Sequence, residues 1–320
     1  MDTRMETGQR LGRELEDVQI TALVPTYNRA DLVPRAIDSI LNQTCPPDEI
    51  IVVDDGSTDH TREAVAGFGD RVRYIYQENA GAAVARHQAV MAAQTEWVGF
   101  LDSDDVWNPD HLERISDAII ATGGRANLYF ANTRRPKNDG GIMQWQLSNL
   151  SIKSPYEFLE DGSEWVLKER QPMMLQATVF KRSAYVACGG FYAPLRSRQD
   201  THLFLKLGLN QPVCAVAGGG AEMTDDDIAQ NRLSTNFHRT SRGTVMSILM
   251  YQELLDYFEG QLTSEQQDVL SLRLADNYLS VARAAWGERD FRKFAEYFLL
   301  SGREHPRAIR NMFGRKLSSA

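Results

Sequence analysis

Four consecutive apolar residues, Ile50-Ile51-Val52-Val53, running straight into Asp54-Asp55-Gly56, constrain this chain more than any other feature. A run that is apolar at every position has no solvent face, so it reads as a strand covered on both sides. Comparable runs occur at 20–24, 72–76 and 97–101, and helical patterns lie between them. The first pattern places Leu32, Ala36, Ile37, Ile40 and Leu41 on one face, and a later one groups Val84, His87 and Met91. Another helix is expected from Pro109. Strands separated by helices imply right-handed βαβ units and a doubly wound, mostly parallel α/β sheet with helices on both faces.

The 320 residues allow about two domains. Strand-like pieces continue at 127–133, 176–180 and 213–217, and from about residue 242 the pattern becomes wholly helical. There Leu272, Ala275, Leu279, Ala282 and Trp286 recur at three- and four-residue steps, as do Phe291, Phe294, Ala295, Phe298 and Leu299. The expected division is a polar leader over 1–18, an α/β domain over 19–240 and an all-helical extension over 241–320. No run reaches the roughly 18 apolar residues of a membrane span. The leader lacks the apolar core of a secretory signal, and Cys45, Cys188 and Cys214 are too few and too scattered for a metal motif, so a cytoplasmic protein with reduced thiols is expected. A net charge of −8 argues against a nucleic-acid partner.

Acidic residues gather where strands end: Asp54-Asp55-Gly56-Ser57-Thr58-Asp59 after one, Asp102-Ser103-Asp104-Asp105 after another. Ligands of open parallel sheets bind beyond the carboxyl ends of the strands. Two carboxylate clusters there repel unless a cation lies between them, and Mn2+ or Mg2+, completed by substrate phosphates, is the simplest neutraliser. Either cluster alone also reads as turn chemistry after a strand. Asn79-Ala80-Gly81-Ala82-Ala83 opens a helix whose backbone N–H groups suit an anion, with Arg86 one turn further in. No GxxxxGK[ST] or GxGxxG element occurs.

Pro25-Thr26-Tyr27-Asn28-Arg29, the helix ending in Gln43-Thr44, the Asp54-Asp55 turn, Asn79-Ala80-Gly81 with Arg86, and Leu101-Asp102-Ser103-Asp104-Asp105 resemble, in order and spacing, the motifs of family 2 glycosyltransferases. The resemblance covers about 19–208. It implies the GT-A fold, a nucleotide-diphosphate-sugar donor (UDP by family frequency), a divalent metal and inversion at the anomeric carbon. Carried over, Pro25, Thr26, Tyr27 and Asn28 line the nucleotide pocket, together with Asp54, Gly81, Arg86 and Ser103. Asp55 accepts a hydrogen bond from the base, Asp102 lies near the ribose, and Asp104 holds the metal, with Asp105 making that register ambiguous by one residue. After Gly189-Gly190-Phe191, Asp200 stands where the family has its catalytic base, although Gln199-Asp200 replaces the usual Glu-Asp. The Gln-x-x-Arg-Trp element of processive synthases is absent, which points to transfer of single sugars onto a glycan or lipid-linked acceptor.

The chemistry asks for these residue types independently. A sugar hydroxyl is a poor nucleophile near neutral pH, so a carboxylate must take its proton as the new bond forms. Charge on the departing diphosphate calls for a cation. Two other readings are a haloacid-dehalogenase-like phosphatase, which Phe100-Leu101-Asp102-Ser103-Asp104 resembles, and a non-catalytic sugar-nucleotide binder. Trp145 and Trp165 read as packing residues or acceptor-stacking ones, Arg196 and Arg198 as solvated or diphosphate-binding, and His238 as solvated or a further metal ligand. From Phe291 onward seven basic residues face only Glu296 and Glu304, with Ile309, Met312, Phe313 and Leu317 interspersed. That tail is either a solvated face or a peripheral contact with an anionic inner-membrane surface.

Overall fold

The computed structural model describes residues 18–137, 140–224 and 241–310. They fall into two compact units, Met1–Ala193 with Leu203–Asp227, and Pro194–His202 with Ile228–Ala320. The sequence-based boundary at 240/241 therefore differs from the structural one, which assigns the short segment Pro194–His202 to the helical unit. Contacts internal to that unit account for this: the His202 ring pairs with the Glu253 carboxylate, and the Arg196 N–H reaches the Met246 sulfur at 3.4 Å.

The first unit begins with β1 (Ile20–Thr26), α1 (Val33–Leu41), β2 (Glu49–Asp54), α2 (Thr61–Ala66), β3 (Arg73–Tyr76), α3 (Ala82–Ala92) and β4 (Trp97–Phe100). All four strands run parallel, in the order β3-β2-β1-β4. Ile51, Val52 and Val53 have no exposed surface, and burying each contributes roughly 1.5–3 kcal/mol. In α1 the buried face is Val33, Ala36, Ile37 and Ile40, as the 3.6-residue period requires. In α3 the expected face of Val84, His87 and Met91 is corrected: Ala83, Ala85, Ala89 and Val90 are buried, and Met91 is 45% exposed. The alanines let this helix lie close against β1 and β2.

The unit continues through β5 (Val106–Trp107), α4 (His111–Ala121), β6 (Leu128–Arg134), α5 (Gln144–Ser148), β7 (Tyr156–Leu159), α6 (Ser163–Val166), β8 (Thr178–Lys181), α7 (Arg182–Ala187), α8 (Gln199–Gly208) and β9 (Val213–Glu222). Only the first turn of α8 belongs to the second unit. Among the described residues the sheet has nine strands. β8 enters antiparallel between β4 and β6, and β9 pairs parallel with β6 but antiparallel with β5 and β7. The sheet is thus mixed, with parallel pairing concentrated in its first half. The ladder between β6 and β9 shifts register at Asn132 and Thr133, opposite the Gly218-Gly219-Gly220 stretch. Gly218 sits at φ +96°, and a Cβ there would lie 1.5 Å from the Arg114 guanidinium, which bonds the Ala217 carbonyl at 2.5 Å and also that of Gly219.

Directly beside this bulge His111 is fully buried, with neither ring nitrogen hydrogen-bonded among the described residues. Burial, reinforced by the Arg114 charge, pushes its pKa down to about 3. The sign follows: in the unfolded chain the ring binds a proton below about pH 6.5, whereas the folded chain excludes that proton until about pH 3. Stability contributed above pH 6.5 is therefore lost as pH falls, at up to about 1.4 kcal/mol per unit. Melting temperatures between pH 7 and 4.5 should fall more steeply in the native chain than in His111→Leu; parallel curves would contradict this.

The second unit contains α9 (Ser241–Tyr257), α10 (Ser264–Gly287) and α11 (Phe291–Glu304). Thr263 and Gln266 form a reciprocal capping box on α10, and Asp290 caps α11 through the Lys293 N–H at 3.0 Å. Ile248, Leu274 and Tyr278 form its small core, with Tyr297 and Leu300 packed on it. No helix among the described residues is long and apolar enough to cross a membrane.

Candidate active site

Because β1, β2 and β4 are parallel neighbours, the turns that follow them leave the sheet at one edge; Thr26 lies beside Asp54 in the ladder. The two acidic residues after β2 divide their tasks. Asp54 is buried and accepts the Ser57 N–H at 2.8 Å and the Tyr74 hydroxyl at 2.6 Å, so it shapes the turn. Burial, with that bond to Asp54, holds the Tyr74 hydroxyl well above the usual phenol range. Asp55 is also buried. One oxygen takes Gln77 Nε2 at 2.6 Å and the Ala80 N–H at 2.8 Å, and the other takes the Gly81 N–H at 2.9 Å.

The backbone groups that the sequence offers to an anion are thus met first by an internal carboxylate, which fixes the entrance to α3. Gly56 allows the close approach: it has φ +82°, and a Cβ there would lie 2.7 Å from the Asn79 nitrogen. Across the edge, Asn28 adopts φ 51°, donates its N–H to Ser57 Oγ and accepts the Thr58 N–H, both at 2.8 Å. The Thr26 carbonyl receives the Asp55 N–H at 2.9 Å. Its buried Oγ1 has no hydrogen-bond partner among the described residues, and Tyr27 is 45% exposed. Pro25, Thr26, Tyr27, Asn28, Asp54, Asp55 and Gly81 therefore gather along one stretch of sheet edge.

The second acidic turn is joined to the first through α3, whose Arg86 donates to Asp102 Oδ1 at 2.9 Å. Ser103 is buried. Asp104 is half-buried, and its carbonyl accepts Arg35 Nη2 at 3.1 Å and Thr224 Oγ1 at 2.6 Å. Asp105 is buried and its Oδ1 accepts the Thr224 N–H at 3.2 Å. The one-residue ambiguity left by the sequence thus meets a physical difference, since the Asp105 carboxylate supports the backbone after β9 while Asp104 retains exposed surface. Arg35, Tyr74, Gln77 and Thr224 were not singled out by sequence. A buried acidic cluster requires donors, but spacing does not say that one lies 119 residues away.

Among the described residues no three His, Cys, Asp or Glu side chains converge as a self-sufficient metal cage. Asp102 and Asp104 nonetheless present hard oxygen donors two residues apart, the set that suits Mg2+ or Mn2+ bound jointly with phosphates. His238 lies outside the described residues, as do Met312, Phe313 and Leu317 of the tail. In the second unit Asp200 occupies the first turn of α8, is half-buried, and accepts the Thr201 N–H at 2.9 Å. Arg198, just before that helix, has φ 64° and a buried Nε without a partner among the described residues. Arg196 is exposed. Trp145 and Trp165 pack edge-on against Phe130 in the core at 6.0 and 5.5 Å, which answers their open role in favour of packing.

The mixed sheet, with its acidic turns at one edge, is that of GT-A-fold proteins. Staphylococcus aureus TarS, solved with UDP-GlcNAc, superposes with a TM-score of 0.65 at 17% identity over 88% of this chain and 81% of that one. The mannosyltransferase PcManGT of Pyrobaculum calidifontis, solved with GDP-Man and Mn2+, gives a TM-score of 0.52 at 19% identity over 93% of both chains. At these identities the likeness speaks to the fold. Sequence carries the rest: residues 21–189 match Glycosyl transferase family 2, more than half of the chain, and the chain belongs to that family. A Nostoc glycosyltransferase, alr2836, is 41% identical over 241 residues, covering 66% of this chain and 74% of its own. TuaG of Bacillus subtilis, named for teichuronic acid biosynthesis, is 42% identical over 99 residues, 30% of this chain and 39% of TuaG. The chain thus matches less than two thirds of TuaG's length.

Proposed function

We propose that the protein transfers one sugar from a nucleoside-diphosphate donor, UDP-linked in the first instance, to a hydroxyl of a glycan or lipid-linked acceptor, with inversion at the anomeric carbon. The observation that carries this reading is the shared sheet edge on which the Asp55 turn and the Asp102–Asp104 turn are joined through α3 and Arg86. TarS bound to UDP-GlcNAc supports the donor class, and PcManGT with Mn2+ supports a divalent ion.

In this reading Thr26, Tyr27 and Asn28 border the base, Asp55 sets the rim, and Asp102 stands near the ribose. Asp104, rather than the buried Asp105, holds Mn2+ or Mg2+. An ion held there would supply positive charge to the departing diphosphate. Asp200 takes the acceptor hydroxyl proton as that oxygen attacks the anomeric carbon, and the bond to the diphosphate oxygen breaks on the opposite face. Holding both substrates together supplies further rate enhancement. The acceptor reading also includes a peripheral contact between the basic C-terminal region and the inner face of a membrane.

The test is a thermal-shift panel of nucleotide sugars with and without Mn2+, followed by assay of metal-dependent nucleoside-diphosphate release. No ligand-induced shift and no release with any donor would remove the reading. In the same panel Asp104→Ala should abolish the Mn2+-dependent part of the nucleotide-induced shift. If Asp105→Ala abolished it while Asp104→Ala did not, the two assignments would exchange.

A further inference from the structure

One face of α11 is apolar and, among the described residues, exposed at Phe291, Ala295 and Leu299 and half-buried at Phe294 and Phe298. At 100° per residue, Phe294, Phe298, Phe291, Ala295 and Leu299 fall on a continuous arc of about 140°. Tyr297 and Leu300 lie off this arc and meet the unit's core, and Ser301, bordering the arc beside Phe294, is buried. Phe291 is 58% exposed and Leu299 60%, and Trp286 at the end of α10 joins them at 58%. Trp286 contacts Phe291 and Phe294 at centroid distances of 5.4 and 5.0 Å, so the rings form one patch rather than scattered exposures.

Charge marks the occupant. Beside Leu299 on the helix wheel stand Arg292 and Arg303, and the sequence from Phe291 onward carries +5 in a chain of net −8. A two-fold contact with a second copy would set the patch against itself and bring like-charged rims together. Phe and Leu on one arc, with Trp286 of the preceding helix against it and arginines along its edge, instead match a helix lying in the interface of an anionic bilayer.

We propose that α11 and Trp286 form a peripheral docking surface for an anionic lipid bilayer, with the aromatic arc inserted at headgroup depth and Arg292 and Arg303 on lipid phosphates. This deepens the lipid-linked acceptor reading and rests on it for its purpose, while its test is independent of turnover.

The experiment uses the whole chain with vesicles of phosphatidylglycerol and phosphatidylcholine, or of phosphatidylcholine alone. Trp97, Trp107, Trp145 and Trp165 are all buried, so Trp286 is the exposed one of the five tryptophans and reports the contact directly. Anionic vesicles should shift its emission to the blue, and brominated acyl chains should quench it; both changes should vanish in Trp286→Phe. Phe291→Ser should weaken vesicle partitioning about tenfold, and Arg292→Gln with Arg303→Gln should weaken it for anionic vesicles, with nucleoside-diphosphate release in vesicle-free buffer unchanged in each. Absence of partitioning, partitioning without a Trp286 response, or a vesicle-free dimer that itself buries Trp286 would each overturn the proposal. Loss of donor turnover with intact vesicle binding would instead sink the transferase reading and leave this surface standing.

Discussion

Asp200→Asn is expected to bind the nucleotide-sugar donor as the native chain does and to transfer sugar about 100-fold more slowly or worse. The substitution keeps the shape and the oxygen that accepts the Thr201 N–H at 2.9 Å. It removes the basic carboxylate, so the defect should appear in single-turnover transfer while donor titrations remain superimposable. Helix N-termini stabilise negative charge, and Asp200 in the first turn of α8 is placed to benefit. Native transfer rates in this variant would take the proton-acceptor role away from Asp200.

The second large effect is expected at Asp55, where Asp55→Ala strips the acceptor from Gln77 Nε2 and from the Ala80 and Gly81 amides at once. Hydrogen bonds to a charged group contribute about 1.5–3 kcal/mol each, and buried donors left unpaired add a penalty. A total of about 3–5 kcal/mol is expected, less than the simple sum because the three bonds share one carboxylate. For a unit of this size that corresponds to a fall of roughly 10 °C in Tm. Amide exchange at Ala80 and Gly81 should accelerate, and donor affinity should drop with it. A Tm within about 2 °C of native, with both amides still protected, would show that something other than Asp55 holds this loop.

How far the molecule was legible in its sequence depends on burial. The strands at 50–53 and 97–100 were readable because they are apolar at every position, and the turns beyond them because Asp, Gly and Ser cluster there. The orientation of β8 was not: Thr178–Lys181 is four residues long, and the same short run serves a parallel or an antiparallel strand. In α3 the buried face is mostly alanine, so hydrophobicity pointed to Val84 and Met91 while close packing selected the small side. Asp54 and Asp55 are adjacent and chemically identical, and only their partners distinguish the turn-builder from the loop clamp. In α11 the period correctly marked an apolar arc, but periodicity does not state whether an arc is covered.

The Asp55 clamp also bears on the thermodynamics of donor capture. With Ala80 and Gly81 already tethered to a buried carboxylate, the cost of ordering that segment falls at folding rather than at encounter. A ligand arriving at such a rim finds its walls standing. Calorimetry should accordingly register a heat-capacity change near that of the apolar area the nucleotide covers, without the larger increment that accompanies a loop condensing around its guest.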